Sequence, residues 1–490
     1  MAEKTRFTTG HYLGYIALLL LFVAGVWLIL TLGSRQNSPR PVAQSQAQST
    51  ESNQSVAPAA GKSETTFTFL EKVLHENLRN SLSILLLQLV VIIISARLIG
   101  RLFRMMGQPP VLGEIVAGIV LGPSLLGLLS PGTMAFLFPA SSMEALKLLS
   151  QIGVVLFMFV VGMDLNVGQL RQRARTAIMV SHASIVVPFF LGAALALWLY
   201  RALAPAQTSF TAFALFMGIA MSITAFPVLA RILDDREMSR TQLGIIALTC
   251  AAVDDVTAWC LLALVIAVAK SDGLAAAFLT IALALVFICV MLLIIKPQLG
   301  RLLSARPNWS QRTRGVVAAS LAFVFACALL TEGIGIHALF GAFLAGVVLS
   351  SVTGLCNLLK EKLEAFSAAA LLPLFFAFTG LRMQIGLLND WQSWLMCAVI
   401  IIVAVAGKLG ASMLMARWTG MNWQDSFALG VLMNTRGLVE LIVLNIGYDL
   451  GILSARAFAM LVLMALVTTF MTGPLLALVR IGRQGHFRPA

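Results

Sequence analysis

The chain has 490 residues, 59% of them hydrophobic and 11% charged, with a mean hydropathy of +0.93. A soluble core cannot absorb that much apolar surface, so a globular soluble domain is excluded and an all-α polytopic membrane protein is expected. The net charge of +13 would suggest a nucleic-acid partner only if the basic residues clustered on one surface, and they do not.

In chain order, Lys4 and Arg6 precede an apolar segment from Tyr12 to Leu32. Residues 1–33 therefore form an N-terminal membrane helix. The segment is long for the apolar core of a cleaved signal peptide, so a retained anchor is the better reading of the two. Residues 34–66 are rich in Ser, Gln, Pro and Ala without hydrophobic period, the composition of a disordered linker, placed on the outer side. Residues 67–80 make a short amphipathic lead-in. The membrane domain spans 67–480, and 481–490 is a short tail with no room for a nucleotide-binding regulatory domain.

About fourteen spans are expected near 12–33, 82–104, 111–127, 147–167, 176–200, 208–231, 241–269, 274–296, 314–331, 336–354, 366–385, 392–416, 424–447 and 454–479, each close to the ~20-residue crossing length. With the amino terminus inside, 22 of the 34 Lys and Arg fall in inner loops or at inner helix ends. Arg97, Arg101 and Arg104 form one such cluster, and Arg171, Arg173 and Arg175 another. The positive-inside rule thus accounts for the basic charge and puts both termini in the cytoplasm. The six cysteines show no paired metal spacing and are read as packing residues; no disulfide, zinc site or other cofactor is expected.

Without the anchor, thirteen spans remain, which permits six, one linker and six. An odd linker turns the second half over and gives an inverted repeat. Two spans at matching positions are interrupted. In MSITAFPVLARIL the break falls at Thr224, Ala225, Phe226 and Pro227; in LMNTRGLVELIVLNIG it falls at Asn434, Thr435, Arg436 and Gly437. Paired interruptions point to a binding site near the membrane midplane, where unwound carbonyls and helix ends meet an ion.

Asp254 and Asp255 lie within IIALTCAAVDDVTAWCLLALVIAVA, flanked on each side by at least ten apolar or small residues. A carboxylate at that depth costs ~2.5–3.5 kcal/mol on insertion scales and persists where it faces a cavity, pairs with a cation or carries protons. Adjacent on a helix, the two side chains diverge by ~100° and cannot share one partner equally. One is expected to bind a cation or proton and the other to pair with a base. Lys408, deep in MCAVIIIVAVAGKLGASMLMA, is that base: an ammonium there needs an anionic partner. Arg436 and Glu440, one helical turn apart, either neutralise each other or serve the site. Glu114, Asp164 and Arg382 lie near span ends and are read as structural, and His182 as a packing residue.

Taken in order, the TAFPVLARIL, AAVDDVTAW, Lys408 and NTRGLVELIVLNIG segments resemble the monovalent cation:proton antiporter-2 family. GQPPVLGEIVAGIVLGPSLLG near 107–127 extends the resemblance to residues 80–480. It is similar above all to plant cation/H⁺ exchangers and bacterial relatives. The resemblance implies a transporter, not an enzyme, in which a six-helix core with two crossing broken helices packs against a dimerisation domain. By it, Asp255 is the ion-carrying acid that takes Na⁺ or K⁺, Asp254 occupies the preceding position, and Lys408 pairs with Asp254. Thr224 and broken-helix carbonyls add oxygens, with Phe226, Pro227, Asn434, Arg436 and Glu440 in support. The expected function is elevator-type exchange of Na⁺ or K⁺ for H⁺, electrogenic, by a homodimer in lipid, in a bacterial inner membrane. The acidic pair departs from the Asn-Asp pattern of many such exchangers, which sets it apart from electroneutral members. A channel or a sodium-coupled symporter of related fold are the competing readings; a channel would lack proton coupling, and a symporter would want polar residues for a bulky solute.

Overall fold

The computed structural model describes residues 9–34, 80–164, 174–239, 241–270, 274–304 and 313–481. The expected linker beyond Ser34, the lead-in up to residue 79 and the tail from residue 482 lie outside the described residues. Among those described, eleven helices are long and apolar enough to cross a membrane, and two shorter apolar helices, Phe210–Ser222 and Ala338–Leu349, accompany them. The chain is an integral membrane protein built of helices.

The elements follow in order. Helix α1 (Thr9–Ser34) is succeeded by α2 (Ser81–Met105), α3 (Pro110–Leu121), the short α4 (Leu126–Leu129) and α5 (Pro131–Leu137), and α6 (Ala140–Asp164). Next come α7 (Ala174–Leu203), α8 (Phe210–Ser222), α9 (Phe226–Asp235) and α10 (Gln242–Lys270). Helix α11 (Leu274–Cys289) runs through a π-helical stretch at Val290–Ile295 into α12 (Lys296–Ser304), so this span extends beyond the expected 296. Then follow α13 (Thr313–Ile334), α14 (Ala338–Leu349), α15 (Thr353–Phe366) and, after a second π-helical stretch at Ser367–Leu371, α16 (Leu372–Leu381). The last four are α17 (Trp391–Trp418), α18 (Trp423–Met433), α19 (Leu438–Asp449) and α20 (Ala455–Ile481).

Polar residues at the ends fix where several helices start. The Ser209 hydroxyl accepts from the Ala212 amide (3.2 Å), Asp390 from Ser393 (3.1 Å) and Asn422 from Asp425 (2.7 Å). Each satisfies an amide that the first helical turn would otherwise leave bare, a need that water cannot meet near a membrane. The apolar bodies do the rest, because in hydrocarbon only a helix satisfies its own backbone.

The helices sort into two groups by packing. In one, α7 lies against α8, α10 and α17, while α17 also contacts α18 and α20. In the other, α3 packs between α2 and α16, and α14 between α6 and α13. Contacts of α16 with α19 and of α3 with α20 join the two. Helix α1 is no free anchor: it packs on α7 and α8.

Both expected interruptions occur. Between α8 and α9 the unwound residues are Ile223, Thr224 and Ala225; between α18 and α19 they run from Asn434 to Gly437. The first break lies earlier than expected, since Phe226 and Pro227 already belong to α9. A proline in the first turn loses nothing, because its absent N–H has no helical acceptor there. The two unwound stretches touch: the Ala225 amide donates to the Thr435 carbonyl (3.1 Å), and the Thr224 hydroxyl to the Met433 carbonyl (3.2 Å). Gly437 permits this approach, since a Cβ there would come within 2.6 Å of Val228.

Candidate ion-binding site

Asp254 and Asp255 sit at the middle of α10, and both are fully buried. The ~100° between successive helix positions sends them to different neighbours. Asp254 faces α7 and α17. Its Oδ1 accepts from the Ser181 hydroxyl at 2.5 Å; its Oδ2 accepts from Ser184 at 2.9 Å, from Thr224 at 2.6 Å and from Lys408 Nζ at 3.1 Å. Two oxygens with four donors are close to the capacity of a carboxylate.

Asp255 faces the first break. The backbone amide of Phe226, at the start of α9, lies toward its carboxyl. A helix N-terminus carries a partial positive charge, which suits an anion there. Its Oδ1, by contrast, is buried and has no hydrogen-bond partner among the described residues. The pair is therefore split by environment into one saturated acid and one with an open oxygen.

Lys408 is fully buried on α17. Besides Asp254 it donates to the Ser222 carbonyl at the end of α8, and its ammonium lies 3.5 Å from the Ser184 hydroxyl. Arg436 reaches the same helix end from the second break, donating to the carbonyls of Ala220 (2.8 Å) and Met221 (2.6 Å). Two cations thus meet the unsatisfied carbonyls where α8 stops, as the helix dipole favours. Glu440 lies 3.2 Å from Arg436, both buried, one turn on along the chain.

The ionisable groups around the breaks are Lys408 and Arg436 against Asp254, Asp255 and Glu440. Two positive and three negative charges leave −1 when all are ionised, and one proton or one monovalent cation at the open oxygen brings the cluster to zero. That balance matters because an uncompensated charge inside a membrane is costly.

Placement of the remaining expected residues is mixed. Thr224 is buried but serves Asp254, not Asp255, so it adds no oxygen beside the open acid in this conformation. Phe226 starts α9 with its amide toward Asp255, and Pro227 occupies the first turn of α9. Asn434 is buried with its Oδ1 unbonded among the described residues. Arg382 contacts Asp449 and donates to Asn445 (2.7 Å), an inter-helix role away from the breaks. His182 is half-buried, its Nδ1 2.9 Å from the Ile178 carbonyl of its own helix. The Asp164 side chain lies outside the described residues.

Sequence reasoning missed Ser181 and Ser184. They stand three apart on α7, hence on one face, and the signal was available: two hydroxyls on one side of an otherwise apolar helix. Thr469 was missed too. Its hydroxyl accepts from the Arg436 amide (3.0 Å) and donates to the Arg436 carbonyl (2.7 Å), clamping the second break.

Comparison with known proteins finds relatives over most of the chain. The family model described as sodium/hydrogen exchanger, transmembrane, matches residues 89–479. The Na(+)/H(+) antiporter NhaS4 of Synechocystis is 47% identical over 397 residues, covering 81% of this chain and 97% of that protein. Cation/H(+) antiporter 17 of Arabidopsis thaliana is 39% identical over 82% of the chain, and K(+)/H(+) antiporter 1 of Saccharomyces cerevisiae 33% over 83%. The chain spans about half the length of these last two, 49% and 47%. Among solved structures, the sodium proton antiporter MjNhaP1 of Methanocaldococcus jannaschii has a similar fold, with a TM-score of 0.61 at 14% identity over 81% of this chain and 98% of that one. The chain with its split aspartate pair thus belongs to the sodium/hydrogen exchanger family of monovalent cation:proton antiporters.

Proposed function

We propose that this protein exchanges Na⁺ or K⁺ for H⁺, with Asp255 as the group that holds each in turn. The observation that carries the reading is the split pair: Asp254 is saturated by Ser181, Ser184, Thr224 and Lys408, whereas Asp255 keeps one buried oxygen unbonded. An open carboxylate oxygen takes either a proton or an alkali cation, and not both. Competition at one oxygen is the simplest coupling device available.

In the proposed cycle the cation-free site carries a proton on Asp255, with Lys408 held by Asp254. A partly dehydrated cation displaces the proton and draws Asp254 and Thr224 toward itself. Lys408, deprived of its counter-ion, gives up its own proton, so two protons leave for one cation and transport is electrogenic. The membrane potential, ~2.3 kcal/mol per charge per 100 mV, then contributes to the driving force. The proton-loaded site crosses with no net charge and the cation-loaded site, once Lys408 has lost its proton, with −1; a site holding neither would carry −2 and does not cross.

The moving part is the group built on α7 to α10 and α17 to α20, sliding as an elevator against the other helices. The thirteen spans after α1 are read as six, one linker and six, with the halves inverted. A homodimer in the inner membrane of a bacterium, with both termini cytoplasmic, completes the proposal. The names of the relatives support both cations.

Everted membrane vesicles carrying a preformed pH gradient test the reading. Adding Na⁺ or K⁺ should dissipate the gradient within seconds, and rubidium, lithium and choline should rank the site's preference. Retention of the gradient with every cation, or dissipation that needs no proton exchange, would overturn it.

A further inference from the structure

Helix α1 precedes the residues shared with the exchanger family, and the charged cluster uses none of it. Its sequence is apolar all round, so hydropathy assigns it no inward face. The packing does. Leu18, Phe22, Val26, Ile29 and Leu30 pack into the protein's apolar clusters, whereas Leu20, Leu21, Val23, Trp27, Leu28 and Leu32 are exposed. The packed positions recur at three- and four-residue steps, the stripe of a helix with one buried seam.

Specific contacts define the seam. Phe22 meets Phe189 edge to face with ring centroids 5.6 Å apart, a favourable aromatic geometry. Ile29 is only 5% exposed. Gly25 lies against Phe190, and Gly33 lies so close to the Phe210 ring that any Cβ there would overlap it. Without a hydrophobic driving force between helices in lipid, small residues that admit a partner's side chain are what association depends on.

Both helices that α1 touches reach the ion site. Helix α7 carries Ser181 and Ser184, which hold Asp254, and α8 ends at the Ser222 carbonyl that accepts from Lys408.

We propose that the face of α7 and α8 formed by Phe189, Phe190 and Phe210 is a docking surface for one transmembrane helix. Its occupant is this chain's own α1, which stays in the working protein and travels with the ion-binding helices. The last clause rests on the moving-core reading above. Residues 35–79 do not oppose such travel, since 45 residues at ~3.3 Å each can reach ~150 Å.

The test uses the full chain with its native cysteines replaced and the pair F22C and F189C introduced, treated in membranes with a short, reducible thiol cross-linker. Mass spectrometry should find the α1 peptide in the mature protein, and the cross-link should form while exchange keeps at least half its rate. A mature chain lacking α1, or no cross-link, would overturn the docking. A cross-link that blocks exchange until reduced would overturn the shared travel. A second variant guards against misfolding: Gly33→Phe should lower the melting temperature and slow exchange, with both restored on adding Phe210→Ala. An unchanged melting temperature would contradict the seam. The peptide, cross-link and melting readouts need no transport, so they stand even if the exchange reading fails.

Discussion

Opposite the first helix break, α10 presents Asp254 and Asp255; opposite the second, α20 presents Thr469 and Thr472. The backbone device is the same at both breaks, and the chemistry is not. Thr469 closes on the backbone of Arg436 with two hydrogen bonds, and Thr435 meets Thr472 hydroxyl to hydroxyl at 3.2 Å. That break is tied down at Thr435 and Arg436, and its one charged side chain, Arg436, faces Glu440. At the first break a carboxylate looks at an amide and keeps an oxygen free. The second half instead sends cations across, Lys408 and Arg436, both onto the carbonyl end of α8. Asp254 and Asp255 come from α10 and the bases beside them from α17 and the second break, which also has its own acid, Glu440, so neither side makes the site alone.

Severing that exchange of charge should have the largest effect on the folded protein. Arg436→Met removes two carbonyl contacts and strands Glu440, and breaking a buried pair costs about 3–5 kcal/mol. A thermal melt in detergent should drop sharply, and adding Glu440→Gln should recover part of it; a melt unchanged by either would place the pair outside the scaffold of the breaks.

Lys408→Gln probes the second cross-connection. Asp254 retains Ser181, Ser184 and Thr224, so the loss of its buried partner should lower the melting temperature less than in Arg436→Met, and exchange should continue at a reduced rate. Charge movement on a solid-supported membrane should vanish. A current equal to that of the parent protein would remove Lys408 from proton coupling.

Smaller changes sharpen the contrast. Ser181→Ala or Ser184→Ala takes one charge-assisted donor from Asp254, about 1.5–3 kcal/mol, and should shift the half-saturating cation concentration by roughly tenfold. In the second half, Thr469→Ala loosens a neutral clamp worth ~1 kcal/mol. It should lower the melting temperature by a few degrees while exchange stays within about twofold. If it altered cation affinity as much as the serine variants do, the two breaks would be functionally alike and the comparison would fail.

The legible parts of the sequence were those with a large free-energy signature. Membrane-length apolar runs gave the helices, and charges that cost kilocalories in hydrocarbon marked Asp254, Asp255 and Lys408. Pro227 and Gly437 marked the breaks, though the first lies a few residues early because proline begins a helix as readily as it ends one. Residues 355–365 fall between two of the expected spans, yet α15 runs through them. Of their charges, Glu361, Lys362 and Glu364 are exposed on the helix instead of in a turn, and Glu361 pairs with Lys362 at 2.8 Å. Ser181 and Ser184 were missed because serine costs little in a helix and occurs there without function. The partner of Thr224 was not legible for another reason: a residue beside a break can turn to either neighbouring acid, and here its hydroxyl donates to Asp254. The seam on α1 had no signature at all, since every side of that helix is apolar.

Proton release on cation addition tests the central claim most directly. Purified protein in weakly buffered detergent should acidify the medium when Na⁺ or K⁺ is added, and Asp255→Asn should abolish the signal while melting near the parent temperature. Acidification undiminished in Asp255→Asn would contradict the account, because the proton and the cation would then be competing somewhere else.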